Sequence, residues 1–149
     1  MSTIYFEDIA VGDRTASGSK SVTKEEIIEF ARKYDPQPFH TDEDAAKDSI
    51  YGGLIASGWH TTAILMRLLV DNMTNKRAGL GSPGCDDLRW VRPVRPGDAL
   101  RYESEVIETR KSESRPDMGI IRADVKLFNQ NDEVVLTLKS IGMVKTRPA

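Results

Sequence analysis

The segment from residue 58 to about residue 73 constrains the fold most, because its apolar residues repeat at helical spacing and cover nearly every side of the helix. They are Trp59, Ala63, Ile64, Leu65, Met66, Leu68, Leu69, Val70 and Met73. A helix with this pattern is typically buried, whereas a surface helix keeps a polar face. The chain therefore has to supply other elements that pack around this helix.

The second half of the chain provides those elements as β-strands. Apolar residues alternate with polar ones at positions 121, 123, 125 and 127, and again at 134, 136 and 138. This alternation predicts antiparallel strands with one face on the core. The predicted strands cover residues 88–91, 100–107, 119–128 and 134–144, with a weaker first strand at 15–22. The composition of residues 129–132 is typical of a hairpin connection.

Two shorter helices are predicted before the central one. Thr23 and Glu26 form a capping box that begins the first helix, and Pro36 ends it by disfavouring helical geometry at Asp35. Acidic residues begin a second short helix within residues 41–47. Because the strands follow the helices, the order favours an α+β domain, with five or six antiparallel strands around one main helix.

Composition excludes several classes of function. The net charge of −2 provides no basic surface for nucleic acid or for a membrane. Cys85 is the only cysteine, so neither an intrachain disulfide nor a cysteine-based zinc site is expected, and we expect it to be buried. Residues 1–8 lack a signal-peptide pattern, which makes the cytoplasm the expected location. No linker or repeat interrupts residues 1–149, which we interpret as a single domain.

The segment most indicative of chemistry is residues 34–42. It places Asp35 and His40 five residues apart across a turn that contains Pro36 and Pro38. Addition of water to a polarised double bond needs a base for the water and an acid for carbon, and an aspartate and a histidine facing one water could serve both needs. Each residue alone could be an ordinary turn or surface residue, but their combination with two prolines favours function.

These residues resemble a known family. Asp35-x-Gln37-Pro38-x-His40 is similar to the Asp-x-Asn-Pro-x-His motif of the MaoC-like (R)-specific enoyl-CoA hydratases. Residues 55–58 resemble the family's Ile-Val/Ala-His-Gly segment, and residues 92–98 its Pro-Val-x-x-Gly-Asp turn. The likeness extends over about residues 5–144 and implies the hot-dog fold, in which an antiparallel sheet wraps around a long central helix.

The resemblance implies roles for three residues. Asp35 and His40 would bind and activate the catalytic water, and the Gly58 amide would polarise the thioester carbonyl. Unpaired amides at a helix start also favour a developing enolate oxygen, although close packing is the other interpretation of Gly58. Gln37 replaces the family's asparagine and Ser57 its histidine, so the acyl substrate can differ from that of other members.

Further residues are candidates for substrate binding. Phe39 and Trp59 can shape an acyl tunnel or belong to the core, and arginines recurring at a spacing of three can bind the phosphates of CoA or lie at a solvated strand end. His60 is assigned to no role, because the mouth of the pocket and a partly buried position are equally compatible with it. The predicted substrate-binding residues are Gln37, Phe39, Ser57, Trp59, Arg89, Arg92 and Arg95.

The expected activity is that of a hydratase/dehydratase for acyl thioesters, which interconverts a trans-2-enoyl-CoA and an (R)-3-hydroxyacyl-CoA. CoA is then part of the substrate, and neither a metal nor another cofactor is expected. A hot-dog acyl-CoA thioesterase and a non-catalytic acyl-CoA-binding module are the alternatives. One domain leaves a strand edge and part of the helix uncovered, so we expect a homodimer, or an oligomer of such dimers, with active sites at the interface.

Overall fold

The computed structural model describes residues 2–149, which contain one six-stranded antiparallel sheet. The strand order is β1-β4-β5-β6-β3, and the short β2 also pairs with β4. The strands are β1 Arg14–Ala16, β2 Lys20–Ser21, β3 Gly84–Trp90, β4 Ala99–Lys111, β5 Met118–Phe128 and β6 Val134–Lys145. The long strands β4, β5 and β6 form the centre of the sheet, and β3 lies at one edge.

The helices lie between β2 and β3 in the chain. They are α1 Lys24–Tyr34, α2 Pro38–Thr41, α3 Glu43–Lys47 and α4 Gly58–Asn72, with 3-10 turns at Phe6–Asp8 and Thr74–Lys76. The sheet curves around α4, which gives the hot-dog fold predicted from the sequence. None of the helices within residues 2–149 combines the length and the apolar character needed to cross a bilayer.

The core lies between α4 and the concave face of the sheet. Ile121, Ala123, Val125 and Leu127 are all buried, which confirms the alternation predicted for β5. Across from them, Leu65 of α4 is 1% exposed. The alternation of apolar and polar residues along the strand therefore places the apolar side chains on the face that contacts the helix.

The burial of α4 differs from the prediction. Ile64 and Leu65 are buried, but Trp59 and Met66 are 59% and 55% exposed. One sheet can cover only one side of a helix, so the apolar residues on the other side remain uncovered in the isolated chain. The prediction that the helix is buried all round is therefore wrong for the single chain.

Several local predictions also need correction. The first strand is interrupted, so that residues 15–22 contribute the end of β1 and all of β2. Cys85 is exposed because it lies on the edge strand β3. The Thr23 hydroxyl accepts a hydrogen bond from the Glu26 amide as predicted, at 3.1 Å. The Glu26 carboxylate, however, contacts the Lys20 ammonium at 3.6 Å.

Candidate active site

The end of α1 and the start of α2 bring Asp35 and His40 together. Asp35 is the C-cap residue of α1, and its amide donates to the Ala31 carbonyl at 2.8 Å. Pro38 then begins α2, a single helical turn that carries His40 and was not predicted. The reversal brings Asp35 Oδ2 to 3.3 Å from His40 Nε2. The proline-containing turn therefore places the carboxylate and the imidazole in contact.

The orientation of the His40 ring is fixed by the backbone of a later segment. Its Nδ1 lies 2.8 Å from the carbonyl oxygen of Ile55, and the ring is buried. Because a carbonyl can only accept a hydrogen bond, Nδ1 carries the hydrogen. Nε2, which faces Asp35, is then the nitrogen that can gain or lose a proton.

Two hydrogen bonds hold the Asp35 carboxylate. Gln37 Nε2 donates to Oδ1 at 2.6 Å, and the fully buried Ser57 hydroxyl donates to Oδ2 at 2.7 Å. Burial opposes ionisation of Asp35, but the bonds from Ser57 and Gln37 and the charge of His40 outweigh it and lower the pKa of this carboxyl. Asp35 is therefore a stable, oriented anion.

The Ser57 side chain hydrogen-bonds to the Asp35 carboxylate and not to the amides of its own helix. It is the N-cap residue of α4, a position where serine usually accepts a hydrogen bond from a helical amide, but its side chain makes no such bond. Its hydroxyl is directed to Asp35, 22 positions earlier in the chain. The amides at the start of α4 are consequently not capped by Ser57.

Asp35, His40 and Gly58 line one cavity of about 660 Å³. Its other walls include the aromatic side chains of Phe39, Tyr51, Trp59 and Trp90. Gly58 is the first residue of α4, so its amide has no acceptor within the helix. The cavity thus combines an anion, an imidazole nitrogen and the positive end of a helix.

Gly58 is also a packing residue. A Cβ atom at this position would lie 2.3 Å from Cδ2 of Trp90, which excludes any side chain unless the indole moves. Trp90 Nε1 donates to the Thr62 hydroxyl at 3.1 Å, and its ring meets the Trp59 ring edge to face at a centroid distance of 5.0 Å. Close packing and an exposed amide are therefore compatible at this glycine.

The structure separates the other predicted binding residues into two groups. Gln37, Phe39, Trp59 and Arg92 line the cavity, with Arg92 Nη1 also 3.3 Å from the Glu133 carboxylate. Ser57 and Arg89 do not line it, and neither does Arg95.

Each of these three has a physical reason for its position. Ser57 is buried behind Asp35, which conflicts with direct contact to a substrate. Arg89 precedes Trp90 on a strand, where successive side chains point to opposite faces, so it points away from the cavity that Trp90 lines. Arg95 donates from Nη2 to the carbonyl of Tyr51 at 2.6 Å and so lies beside the cavity wall.

His60 lies outside this cavity. Its ring is buried and stacks on Phe30 at 4.8 Å between centroids, and burial lowers its pKa. Trp90 is the wall residue that sequence reasoning missed as a site residue, because nothing local indicates that the end of β3 lies over the start of α4. Within the described part of the chain, no three His, Cys, Asp or Glu side chains are grouped to hold a metal ion.

Comparison with known proteins establishes the family. A family model described as the MaoC like domain matches residues 10–126. The chain belongs to the MaoC-like family. A crystal structure of the MaoC-like dehydratase from Rhodospirillum rubrum is 44% identical, has a TM-score of 0.87, and matches over 98% of this chain and 99% of that one. The resemblance predicted from residues 35–40, 55–58 and 92–98 is thereby confirmed.

Two curated relatives extend this comparison. The (R)-specific enoyl-CoA hydratase of Rhodospirillum rubrum is 31% identical over 101 residues, which cover 64% of this chain and 65% of that relative. The uncharacterized protein YdeM of Bacillus subtilis is 29% identical over 126 residues, covering 85% of this chain and 88% of YdeM. The MaoC-like family therefore includes relatives named as hydratases and dehydratases.

Proposed function

We propose that this MaoC-like protein catalyses the reversible hydration of a trans-2-enoyl-CoA to an (R)-3-hydroxyacyl-CoA. The observation that carries the proposal is the contact between the Asp35 carboxylate and His40 Nε2, in the cavity that Gly58 also lines. A hydratase needs these groups on one substrate: a site for water, a proton carrier and a donor for the thioester oxygen. The names of the relatives from Rhodospirillum rubrum support the same reaction class.

In the hydration direction, a water molecule bound by Asp35 and His40 attacks the β-carbon of the enoyl group. His40 Nε2 takes one proton from this water while the carbon–oxygen bond forms, and the electron pair of the double bond moves toward the thioester carbonyl. The Gly58 amide stabilises the resulting enolate oxygen. The proton on Nε2 then passes to the α-carbon, which restores the carbonyl and the neutral imidazole.

The hydrogen bonds favour different roles for Asp35 and His40 in the proposed reaction. The carboxylate accepts from Ser57 and Gln37 and has a lowered pKa, so it is a weak base that suits holding the water and stabilising the imidazolium. The imidazole donates its Nδ1 hydrogen to the carbonyl oxygen of Ile55, so Nε2 is the nitrogen that can accept a proton and return it. This reaction needs no cofactor beyond the CoA of the substrate, whose phosphates can contact Arg92 in the cavity wall.

A homodimer is part of the proposal. Strand β3 is an edge of the sheet, and exposed apolar residues lie near it and on the uncovered side of α4: Trp59, Met66, Trp90 and Val91. A two-fold partner that pairs with this edge would cover them. Because Trp59, Trp90 and Val91 also line the cavity, the partner would complete its walls.

The reaction is tested with a panel of enoyl-CoAs of different chain lengths, by following loss of the enoyl absorbance. A positioned acid–base group contributes about 10²–10⁴-fold, so Asp35→Asn and His40→Ala should each lower kcat at least about 100-fold. Circular dichroism should show an unchanged fold. Asp48→Asn, an exposed aspartate outside the cavity, is the matched control and should retain full turnover.

The same samples distinguish the alternatives. Release of free thiol, measured with Ellman's reagent, would identify a thioesterase that hydrolyses the substrate without hydrating the alkene. Tight binding of acyl-CoA with no turnover would identify a binding module. If Asp35→Asn and His40→Ala both hydrated enoyl-CoA at the wild-type rate, the assignment of the pair would be wrong.

A further inference from the structure

A second cavity, of about 240 Å³, lies near the other end of α4. Its walls come from the N-terminal segment, from Leu69 of α4 and Met73 just after it, and from the inner face of the sheet. It shares no lining residue with the cavity that contains Asp35 and His40. We call it the Arg77 cavity, after one of the two arginines that line it, together with Thr15, Ser104 and Ser140.

Arg77 has an unsatisfied side chain. Its Nε atom is fully buried and makes no hydrogen bond, and no carboxylate within residues 2–149 lies within 4.0 Å of its guanidinium. Burial disfavours the charged form and lowers the pKa of Arg77, yet an arginine in a protein stays protonated. A buried Nε without an acceptor is unfavourable, and a bound anion would contact the Nη atoms and offset part of the cost of burying the charge.

Two carboxylates also line the cavity, but both are already engaged. The Asp8 carboxylate pairs with Arg147 and accepts from the Tyr5 amide, and the Asp13 carboxylate accepts from the Ala10 amide at 2.9 Å. Neither carboxylate lies within 4.0 Å of the Arg77 guanidinium, although the charge of Asp13 favours the charged form of Arg77. Their charge disfavours a ligand with two negative charges. The electrostatics therefore favour a monoanion over phosphate.

The remaining walls indicate the size of such a ligand and the groups it carries besides its negative charge. Thr15 and Ser104 present hydroxyl groups that lie 2.6 Å apart, whereas Leu69, Val106 and Val125 are apolar. A cavity of roughly 150 Å³ is enough to bind benzene, so 240 Å³ accommodates a molecule of about six to nine non-hydrogen atoms. The side chains of Arg14 and Asp8, which are 80% and 38% exposed, give the cavity an opening to solvent.

We propose that the Arg77 cavity binds a short-chain monocarboxylate, with the guanidinium of Arg77 as the partner of the carboxylate group. The apolar walls would hold the alkyl chain, and the hydroxyls of Thr15 and Ser104 would accommodate a hydroxyl on it. This site is separate from the Asp35–His40 cavity and does not depend on the hydration reaction.

The test measures binding of butanoate and of (R)-3-hydroxybutanoate to the full chain by isothermal titration calorimetry at constant ionic strength. Loss of a charge-assisted hydrogen bond should weaken binding at least about tenfold in both Arg77→Met and Arg77→Gln. Arg110→Gln is the matched control, because Arg110 is an exposed arginine that lines neither cavity. It should bind like the wild type, and inorganic phosphate should bind more weakly than butanoate.

Thermal unfolding without ligand provides a second readout that does not require binding. Arg77→Met removes an unpartnered charge, so it should unfold at a temperature no lower than the wild type does. Equal binding of butanoate by wild type and both Arg77 variants would overturn the proposal, as would no binding by the wild type at millimolar butanoate. Binding that is lost in Arg92→Gln but kept in Arg77→Met would place butanoate in the other cavity, which Arg92 lines, and would also overturn it.

Discussion

Replacing Ser57 with alanine removes the buried hydroxyl that donates to Asp35 Oδ2 at 2.7 Å. A hydrogen bond to a charged group contributes about 1.5–3 kcal/mol. The pKa of Asp35 should therefore rise when this bond is lost. If the same bond orients the carboxylate toward water in the transition state, kcat should fall about 10–100-fold. KM should change little, because Ser57 does not line the cavity.

The sign of the accompanying stability change follows from linkage. The folded-state pKa of Asp35 lies below the ordinary value of 3.8, so this group stabilises the fold above that pH and loses its contribution as the pH falls through the folded-state pKa. In Ser57→Ala the folded-state pKa is higher, so the contribution is smaller. The acid unfolding transition should accordingly begin at a higher pH than in the wild type.

Two measurements check this prediction: the pH dependence of enoyl-CoA hydration, and unfolding followed by circular dichroism during acid titration. Ser82→Ala is the matched control, since it also removes a hydroxyl, one that donates to the Gly84 carbonyl at 2.8 Å and lies outside the cavity. It should leave kcat unchanged. A Ser57→Ala protein with wild-type kcat and wild-type acid stability would refute the view that this hydroxyl holds the Asp35 carboxylate in its proposed role.

Three further predictions follow from the same contacts. Gly58→Ala should destabilise the protein by about 1–3 kcal/mol in urea titrations, because its Cβ meets the Trp90 ring, and a Trp90→Ala background should remove most of this loss. Gln37→Ala should lower kcat by about tenfold in the hydration assay, since Oδ1 of Asp35 then lacks its donor at 2.6 Å, and an unchanged kcat would contradict the role. Met66→Lys should shift the protein toward monomer in light scattering, whereas Val11→Lys, at another exposed apolar residue, should not.

The sequence determined much of the fold because its signals are local. Alternation at residues 121–127 places those side chains on one face whatever the rest of the chain does, and Pro36 restricts Asp35 wherever the turn lies. The motif from Asp35 to His40 spans a single helix exit, so its two side chains could be assigned to one site before any long-range contact was known. The family resemblance rests on the same short segments.

Only the tertiary structure decided which distant residues complete the site. The bond from Ser57 to Asp35, the carbonyl of Ile55 behind His40 and the ring of Trp90 over Gly58 all join positions at least 15 residues apart. Such contacts depend on strand register and on how α4 lies on the sheet, and neither leaves a periodic trace in the sequence. For the same reason the sequence could not show which side of α4 stays uncovered, or that Arg77 lines a second cavity. Local sterics fix the path of each segment, whereas the neighbours of a side chain are fixed by packing of the whole chain.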